Sequence, residues 1–170
     1  GYEDEVVLLS ELTPAASARP GDHAIKARAE WLVCKDVCIP QQGEFALRVP
    51  AKATTAAHGA SFNAAWAAQP KDAAEAKVSA ELVDDARALR VAISGLPTAV
   101  QGRALAFFAE TAGVIDHAAK IKGAWDGTTW RADVPISAQC FESPAQMHAV
   151  LTTPGQAAGT RVAMKITGAW

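Results

Sequence analysis

An alternation of apolar and polar side chains over residues 25–34 constrains the fold of this chain most strongly. A period of two residues puts successive side chains on opposite sides of an extended backbone and is typical of a half-buried strand. The apolar set comprises Ile25, Ala27, Ala29, Trp31 and Val33. The pattern predicts a strand whose Trp31 side faces a core.

The same period returns along most of the chain and predicts an all-β fold. Before residue 50, further strands are predicted at 6–9 and 44–49, with a turn at Gly43 between the later strands. After residue 75, the predicted strands are 78–82, 89–93, 103–109, 119–125, 129–134, 147–151 and 161–167. Short strands that are regularly divided by turns indicate an immunoglobulin-like β-sandwich.

One segment departs from this period and divides the chain. Residues 58–68 are rich in alanine and carry Phe62 and Trp66 four positions apart, which predicts a short helix that ends before Pro70. We expect residues 1–70 to form a redox β unit that lacks its N-terminal strands, and residues 75–170 to form a second sandwich. The predicted architecture is two immunoglobulin-like units in tandem with a short linking helix.

Composition excludes several classes of protein. The chain has 16 basic and 18 acidic residues, a net charge of −2 and no basic block, so we expect no nucleic-acid partner. Half of the residues are apolar and 20% are charged, unlike a disordered chain. No apolar run approaches the roughly 18 residues of a membrane span, and residues 1–5 are acidic where a signal peptide is basic. We therefore expect a soluble piece of a larger protein.

The segment that could carry chemistry is 31–40, WLVCKDVCIP, where Cys34 and Cys38 lie four positions apart at a strand end. A zinc site needs four ligands, and His23 is the single nearby histidine. A structural disulfide is a second interpretation, although closing so short a loop stabilises a fold by only about 2 kcal/mol. A third is a pair that cycles between dithiol and disulfide, since its sulfurs stay close in either state. Cu(I) capture by the dithiol also remains open.

The neighbours of the pair argue against a thioredoxin site. A thioredoxin fold carries two cysteines, separated by two residues, at the start of a helix, whereas three residues separate this pair and Ile39-Pro40 indicates extended chain. Lys35 favours a thiolate and Asp36 disfavours it. A pair without helix activation is suited to exchange with a specific docked partner.

These residues resemble a known family. Residues 1–6 (GYEDEV), Leu8-Leu9 and the string 31–40 are similar to the N-terminal periplasmic region of DsbD-type thiol:disulfide interchange proteins, in particular the ScsB branch, named for suppression of copper sensitivity. Weaker similarity continues at 106–108 and 114–118. DsbD itself has a longer spacer between its cysteines.

The resemblance implies a function and a set of site residues. Cys34 and Cys38 would be the catalytic redox pair, with Cys38 the site of the mixed disulfide. A thioredoxin-like domain would donate electrons, a periplasmic disulfide oxidoreductase would accept them, and the parent protein would be membrane-embedded, with no cofactor and no metal. Residues expected to form a cap or to contact partners are Tyr2, Glu3, Trp31, Lys35, Asp36 and Pro40.

Several other residues carry weaker signals. Cys140 is the third cysteine, and we expect a free, partly buried thiol. His117 follows a turn-forming aspartate, which is common without a function. Met147 and Met164 are the only methionines, too few for a copper-binding methionine cluster. Asp84-Asp85 is expected to lie in a solvated hairpin turn.

Overall fold

Alternating side chains form strands along most of the chain. In the computed structural model, which describes residues 5–19, 21–34, 37–50, 58–116, 118–156 and 158–170, the chain forms ten strands and one helix. The all-β prediction is therefore confirmed. The chain divides into two compact units, Gly1–Ala65 and Trp66–Trp170.

The first unit contains one long antiparallel hairpin. Strands β1 (Asp22–Cys34) and β2 (Cys38–Pro50) pair along their whole length, from Asp22 opposite Pro50 to Cys34 opposite Cys38. The strand predicted at 6–9 is wrong, because residues 5–15 form neither helix nor strand. The turn predicted at Gly43 is also wrong, since Gly43 lies inside β2 opposite Ala29.

The hairpin corrects the expectation that the Trp31 side is buried. Trp31 is 44% exposed and Phe45, on the same side of the hairpin, is 57% exposed. The reason is that β1 pairs with β2 and with no other strand among the described residues. Pairing satisfies only the inner edges of a two-stranded hairpin, and burying one of its faces requires a further layer.

The single helix of the described chain, α1 (Gly59–Ala67), confirms the helix predicted at 58–68. It spans the division between the units at residues 65 and 66. Phe62 and Trp66 remain exposed, and no residue of α1 is buried. No helix among the described residues is long and apolar enough to cross a membrane.

The second unit contains the remaining eight strands in one sheet. Their order is β6-β9-β10-β4-β5-β8-β7, and β3 pairs with β10. Strand β10 pairs with β9 through residues 160–165 and with β4 through residues 166–167, so it joins the two halves of the sheet. The strands are β3 (Lys71–Asp72), β4 (Lys77–Val83), β5 (Ala88–Ser94), β6 (Ala106–Ala109), β7 (Gly123–Asp126), β8 (Thr129–Pro135), β9 (Gln146–Thr152) and β10 (Thr160–Thr167).

The core lies in this second unit. Alternate residues of β5, β8, β9 and β10 are buried, as their period of two requires. Phe107 on β6 stacks on Trp130 of β8, with ring centroids 6.2 Å apart. Because β6 and β8 lie near opposite ends of the strand order, this contact shows that the sheet folds over on itself. Burying each large side chain contributes about 1.5–3 kcal/mol.

One glycine and one turn of this unit have special steric or backbone requirements. A Cβ built on Gly123 would overlap the indole of Trp130, so only glycine leaves room for the buried ring. The turn predicted at residues 84–87 connects β4 to β5 and is confirmed. Asp84, Asp85 and Ala86 all have positive φ, between 53° and 59°.

Candidate functional site

The site is the end of the hairpin in the first unit. Cys34 is the last residue of β1 and Cys38 is the first residue of β2. The register places them directly opposite each other with Cα atoms 4.0 Å apart, and a disulfide of 1.99 Å joins their sulfur atoms. The strand pairing thus brings the two predicted catalytic cysteines together.

The register also decides which side chains surround the disulfide. In a hairpin, paired residues share a face and successive pairs alternate between faces. The face with the disulfide, called the disulfide face below, therefore carries the even-numbered residues of both strands. The odd-numbered residues form the opposite, apolar face, whose large members are Ile25, Trp31, Val33, Ile39, Phe45, Leu47 and Val49.

An apolar pair flanks the disulfide. Leu32 and Pro40 are paired on the disulfide face, one step from the cysteines, and both are exposed. Val37, beside Cys38, is 71% exposed. Leu32 was not among the predicted site residues, although its even separation from Cys34 places both on one face of a strand.

The other predicted site residues fall into two groups. Pro40 lies beside the disulfide, whereas Trp31 pairs with Gln41 and lies on the opposite face of the same strand. Tyr2, Glu3, Lys35 and Asp36 lie outside the described residues, as does His117. Their predicted roles as a cap, as partner contacts or in tuning the thiols stay predictions.

Both cysteines are exposed. An incoming sulfur can therefore reach the disulfide face without displacing a described side chain. Further down this face, Arg28 forms an ion pair of 2.7 Å with Glu30 and donates a hydrogen bond of 3.1 Å to Gln42. These polar contacts leave the last two pairs, Leu32–Pro40 and Cys34–Cys38, as the uncharged part of the face.

The apolar face has a local order of its own. A Cβ built on Gly43 would lie 2.9 Å from the ring of Phe45 and 3.4 Å from the ring of Trp31. A side chain at position 43 would therefore crowd the rings of Phe45 and Trp31. Gly43 therefore leaves room for two large rings within a continuous strand and does not form the predicted turn.

The third cysteine and the two methionines belong to the second unit. Cys140 forms no disulfide among the described residues, is half-buried against the core of the second unit, and its thiol donates to the carbonyl of Glu142 at 3.1 Å. Met147 and Met164 are buried and paired between β9 and β10, where their thioethers pack in the core. Within the described ranges no three His, Cys, Asp or Glu side chains cluster as metal ligands.

The strongest electrostatic cluster also lies in the second unit. Arg161 donates two hydrogen bonds to Glu110, at 2.7 and 2.9 Å, and one to Asp72 at 3.2 Å. The hydrogen bond from Arg161 holds the pKa of Glu110 below its ordinary value, and Glu110 in turn raises the pKa of Arg161. Arg90 and Asp133 form a similar bidentate pair that lowers the pKa of Asp133. Arg90–Asp133 joins the neighbouring strands β5 and β8, and Arg161–Asp72 joins β10 and β3. Arg161–Glu110 links β10 to the residue that follows β6.

Comparison with known proteins extends the description of the fold. No family model matches the sequence, and no curated protein matches it significantly. Among solved structures, the chain is similar to the crystal structure of the N-terminal periplasmic domain of ScsB from Proteus mirabilis, with a TM-score of 0.58 and 14% identity. The match covers 81% of this chain and 55% of that chain, so this chain spans just over half its length. The predicted resemblance to ScsB is confirmed as a likeness of fold.

Proposed function

We propose that this chain is a thiol–disulfide exchange domain in which Cys34 and Cys38 alternate between dithiol and disulfide. The observation that carries the proposal is the position of the disulfide. It joins two exposed, directly opposed residues at the free end of a hairpin, where a partner protein can reach both sulfur atoms.

The energetics favour a redox role over a structural one. The disulfide closes a loop with three intervening residues, which restricts the unfolded chain by only about 2 kcal/mol. The two strands are already paired in register along 13 residues each. Breaking the S–S bond therefore leaves the cysteines adjacent, which is what repeated oxidation and reduction require.

The proposed cycle conserves electrons. The thiolate of Cys38 attacks a disulfide of the partner, and one partner sulfur leaves as a thiolate. Cys34 then attacks Cys38 in the mixed disulfide, which releases the second partner thiol and re-forms the Cys34–Cys38 bond. Two electrons pass to the partner, and a thioredoxin-like domain with two thiols returns them. The acceptor is a periplasmic disulfide oxidoreductase.

The cellular compartment and the parent protein are proposed from the similarity to the matched structure. The matched solved structure is a periplasmic domain. The cysteine pair lies in the string 31–40, which resembles DsbD-type proteins. We place the chain in the periplasm as part of a membrane-embedded parent protein. We also assign the fold to tandem immunoglobulin-like units, residues 1–70 and 75–170, with the folded-over sheet of the second unit supporting the sandwich assignment.

The test is covalent trapping. Cys34→Ala removes the resolving thiol, so we expect it to accumulate a mixed disulfide through Cys38 when the reduced variant meets a periplasmic extract, seen by non-reducing electrophoresis and mass spectrometry. Cys38→Ala is the matched control and should trap far less. If neither variant traps a protein, or if the Cys34–Cys38 reduction potential lies well below about −300 mV, the disulfide is a structural staple.

A further inference from the structure

The two sulfur atoms of the disulfide are reached from different directions. Cys34 and Cys38 are opposed across the ladder, so the bond between their sulfurs runs across the hairpin from β1 to β2. Thiol–disulfide exchange is a displacement at sulfur, in which the incoming, attacked and leaving sulfurs lie close to one line. A partner sulfur that bonds to Cys38 therefore lies on the far side of Cys38 from Cys34, called the β2 side below.

The same direction holds for both halves of the proposed cycle. When Cys34 resolves a mixed disulfide, it attacks the sulfur of Cys38, and the partner sulfur leaves toward the β2 side. When a donor thiolate reopens the disulfide, it attacks Cys38 from the β2 side and Cys34 leaves. A partner joined to Cys38 thus lies beside β2 in either step.

Pro40 is the first side chain of β2 that such a partner meets on the disulfide face. It is exposed and follows Cys38 by two positions, a separation that puts it on the same face of the strand about 6.6 Å away. The Cα atoms of two residues joined by a disulfide lie about 5.5–6 Å apart. The residues on either side of the partner's cysteine are therefore within contact distance of Pro40.

Leu32 flanks the disulfide from the other strand. It is directly opposite Pro40 and lies two positions before Cys34, on the same face. Leu32 is therefore on the Cys34 side of the S–S bond, away from a sulfur that bonds to Cys38. The pair thus presents one exposed apolar side chain toward the partner and one away from it.

The chemistry of the β2 side indicates which partners fit it. After Cys38, the disulfide-face residues of β2 are Pro40 and Gln42, and the first charged one is Glu44. Pro40 offers an apolar ring and no N–H donor. A charged side chain beside the partner's cysteine would lose water against this ring, which can give it neither an ion pair nor a hydrogen bond. An apolar side chain would instead bury apolar surface there.

We propose that Pro40 is a specificity-determining residue of the exchange reaction and selects partners with an apolar side chain next to the reactive cysteine. This inference rests on the proposed function and keeps the mixed disulfide on Cys38. It adds the side of approach and the chemistry of recognition. Partners contact Pro40 from the β2 side, and Leu32 takes no part in selecting them.

The test follows the oxidation of the reduced full chain by two symmetrical peptide disulfides. Each is the oxidised dimer of a blocked, uncharged pentapeptide, either Gly-Leu-Cys-Leu-Gly or Gly-Asn-Cys-Asn-Gly. Acid quenching and mass spectrometry give the rate and show which cysteines are joined. We expect the leucine disulfide to react about fivefold faster than the asparagine disulfide, a factor equivalent to about 1 kcal/mol.

The measured reaction balances as a two-electron exchange. The thiolate of Cys38 bonds to one peptide sulfur, and the other peptide leaves as a thiolate. Cys34 then attacks the sulfur of Cys38 and displaces the bound peptide. The chain loses two electrons and the peptide disulfide gains them, while the peptide thiolates take up the protons that the two cysteines release.

Register partners supply the matched variants. Pro40→Ser removes the apolar ring on the β2 side, and Leu32→Ser removes the apolar side chain opposite it on β1. We expect Pro40→Ser to react with both peptide disulfides at similar rates and Leu32→Ser to keep the preference for leucine. Pro40→Leu puts an apolar side chain back and should restore the preference, which separates side-chain contact from an effect of proline on the backbone.

The outcomes separate the two proposals. Equal rates for the two peptide disulfides in the wild type, a Pro40→Leu variant without the preference, or a loss in Leu32→Ser as large as in Pro40→Ser would overturn the specificity proposal alone. If neither peptide disulfide can form the Cys34–Cys38 bond in the reduced wild type, the proposed function itself is overturned.

Discussion

Trp31 and Cys34 lie three positions apart on one strand and therefore point to opposite faces of the hairpin. A large exposed ring close in sequence to a disulfide is a natural candidate to cover it. The register instead places the exposed pair Leu32–Pro40 beside the disulfide and leaves Trp31 on the apolar face.

A positive charge should change the rate of disulfide reduction on the disulfide face but not on the apolar face. Leu32 and Val33 are neighbours with similar exposure, 63% and 55%, but opposite faces. An arginine at 32 would attract an incoming thiolate, and two unit charges roughly 7 Å apart in water interact by about 0.6 kcal/mol. Leu32→Arg should accelerate reduction by glutathione about threefold at low salt, and Val33→Arg should not. A stopped-flow series at rising salt checks this, since a faster Val33→Arg would contradict the face assignment.

The first unit shows which features a local sequence pattern can predict and which it cannot. Alternation predicted β1, because the period of strand side chains depends only on neighbouring residues. The candidate site at the end of β1 came from the cysteine spacing, and its role stays a prediction. Alternation did not predict that the Trp31 side would be exposed, since burial depends on which other strands cover a face. Gly43 was misread as a turn because a glycine in a strand and a glycine in a turn look alike until the rings around it are known.

The second unit shows what local patterns cannot give. The sequence pattern predicted all of its strands except β3, but it did not predict their order, because pairing joins segments far apart in sequence. Arg161 is separated from Glu110 by 51 residues and from Asp72 by 89, and no feature of the sequence links the three. The closeness of Cys34 and Cys38 was predictable from their four-residue spacing, but the hairpin that opposes them was not, because the second strand was predicted only over 44–49.

Gly123 should be intolerant of any side chain. Its absent Cβ makes room for the indole of Trp130, which is 1% exposed and stacks on Phe107. Gly123→Ala should lower the free energy of unfolding by about 1–3 kcal/mol, the usual cost of overpacking a core. Chemical denaturation checks this against Gly59→Ala, a site where an added Cβ meets no atom within 4 Å. Equal stability of the two variants would contradict the close packing.

A glycine at position 85, in the turn between β4 and β5, should increase the stability of the fold. Asp85 is exposed and has a φ of 54°, a left-handed conformation that costs a residue with a Cβ about 1–2 kcal/mol. Asp85→Gly removes that cost but increases the entropy of the unfolded chain, so we expect a net gain of about 0.5 kcal/mol. Asp85→Ala removes the same charge and keeps the strain. A gain in melting temperature for Asp85→Ala as well would mean that charge, not φ, limits the turn.

The Arg161–Glu110 pair should make the second unit sensitive to acid. Arg161 lowers the pKa of Glu110 by hydrogen bonding, so the folded state holds this carboxylate ionised below the unfolded pKa of about 4.3. The pair's contribution is therefore complete above that pH and is lost as the pH falls through the folded pKa. Because the Glu110 side chain is 38% exposed, we expect only about 0.5–1 kcal/mol.

Glu110→Gln isolates this contribution. Its deficit in unfolding free energy relative to the wild type should be constant near neutral pH and should shrink below about pH 4, because the wild-type carboxyl then becomes neutral too. Glu142→Gln is the matched control, since Glu142 is exposed and forms no ion pair among the described residues. A deficit for Glu110→Gln that stays unchanged into the acid range would show that Arg161 stabilises the sheet through geometry rather than charge.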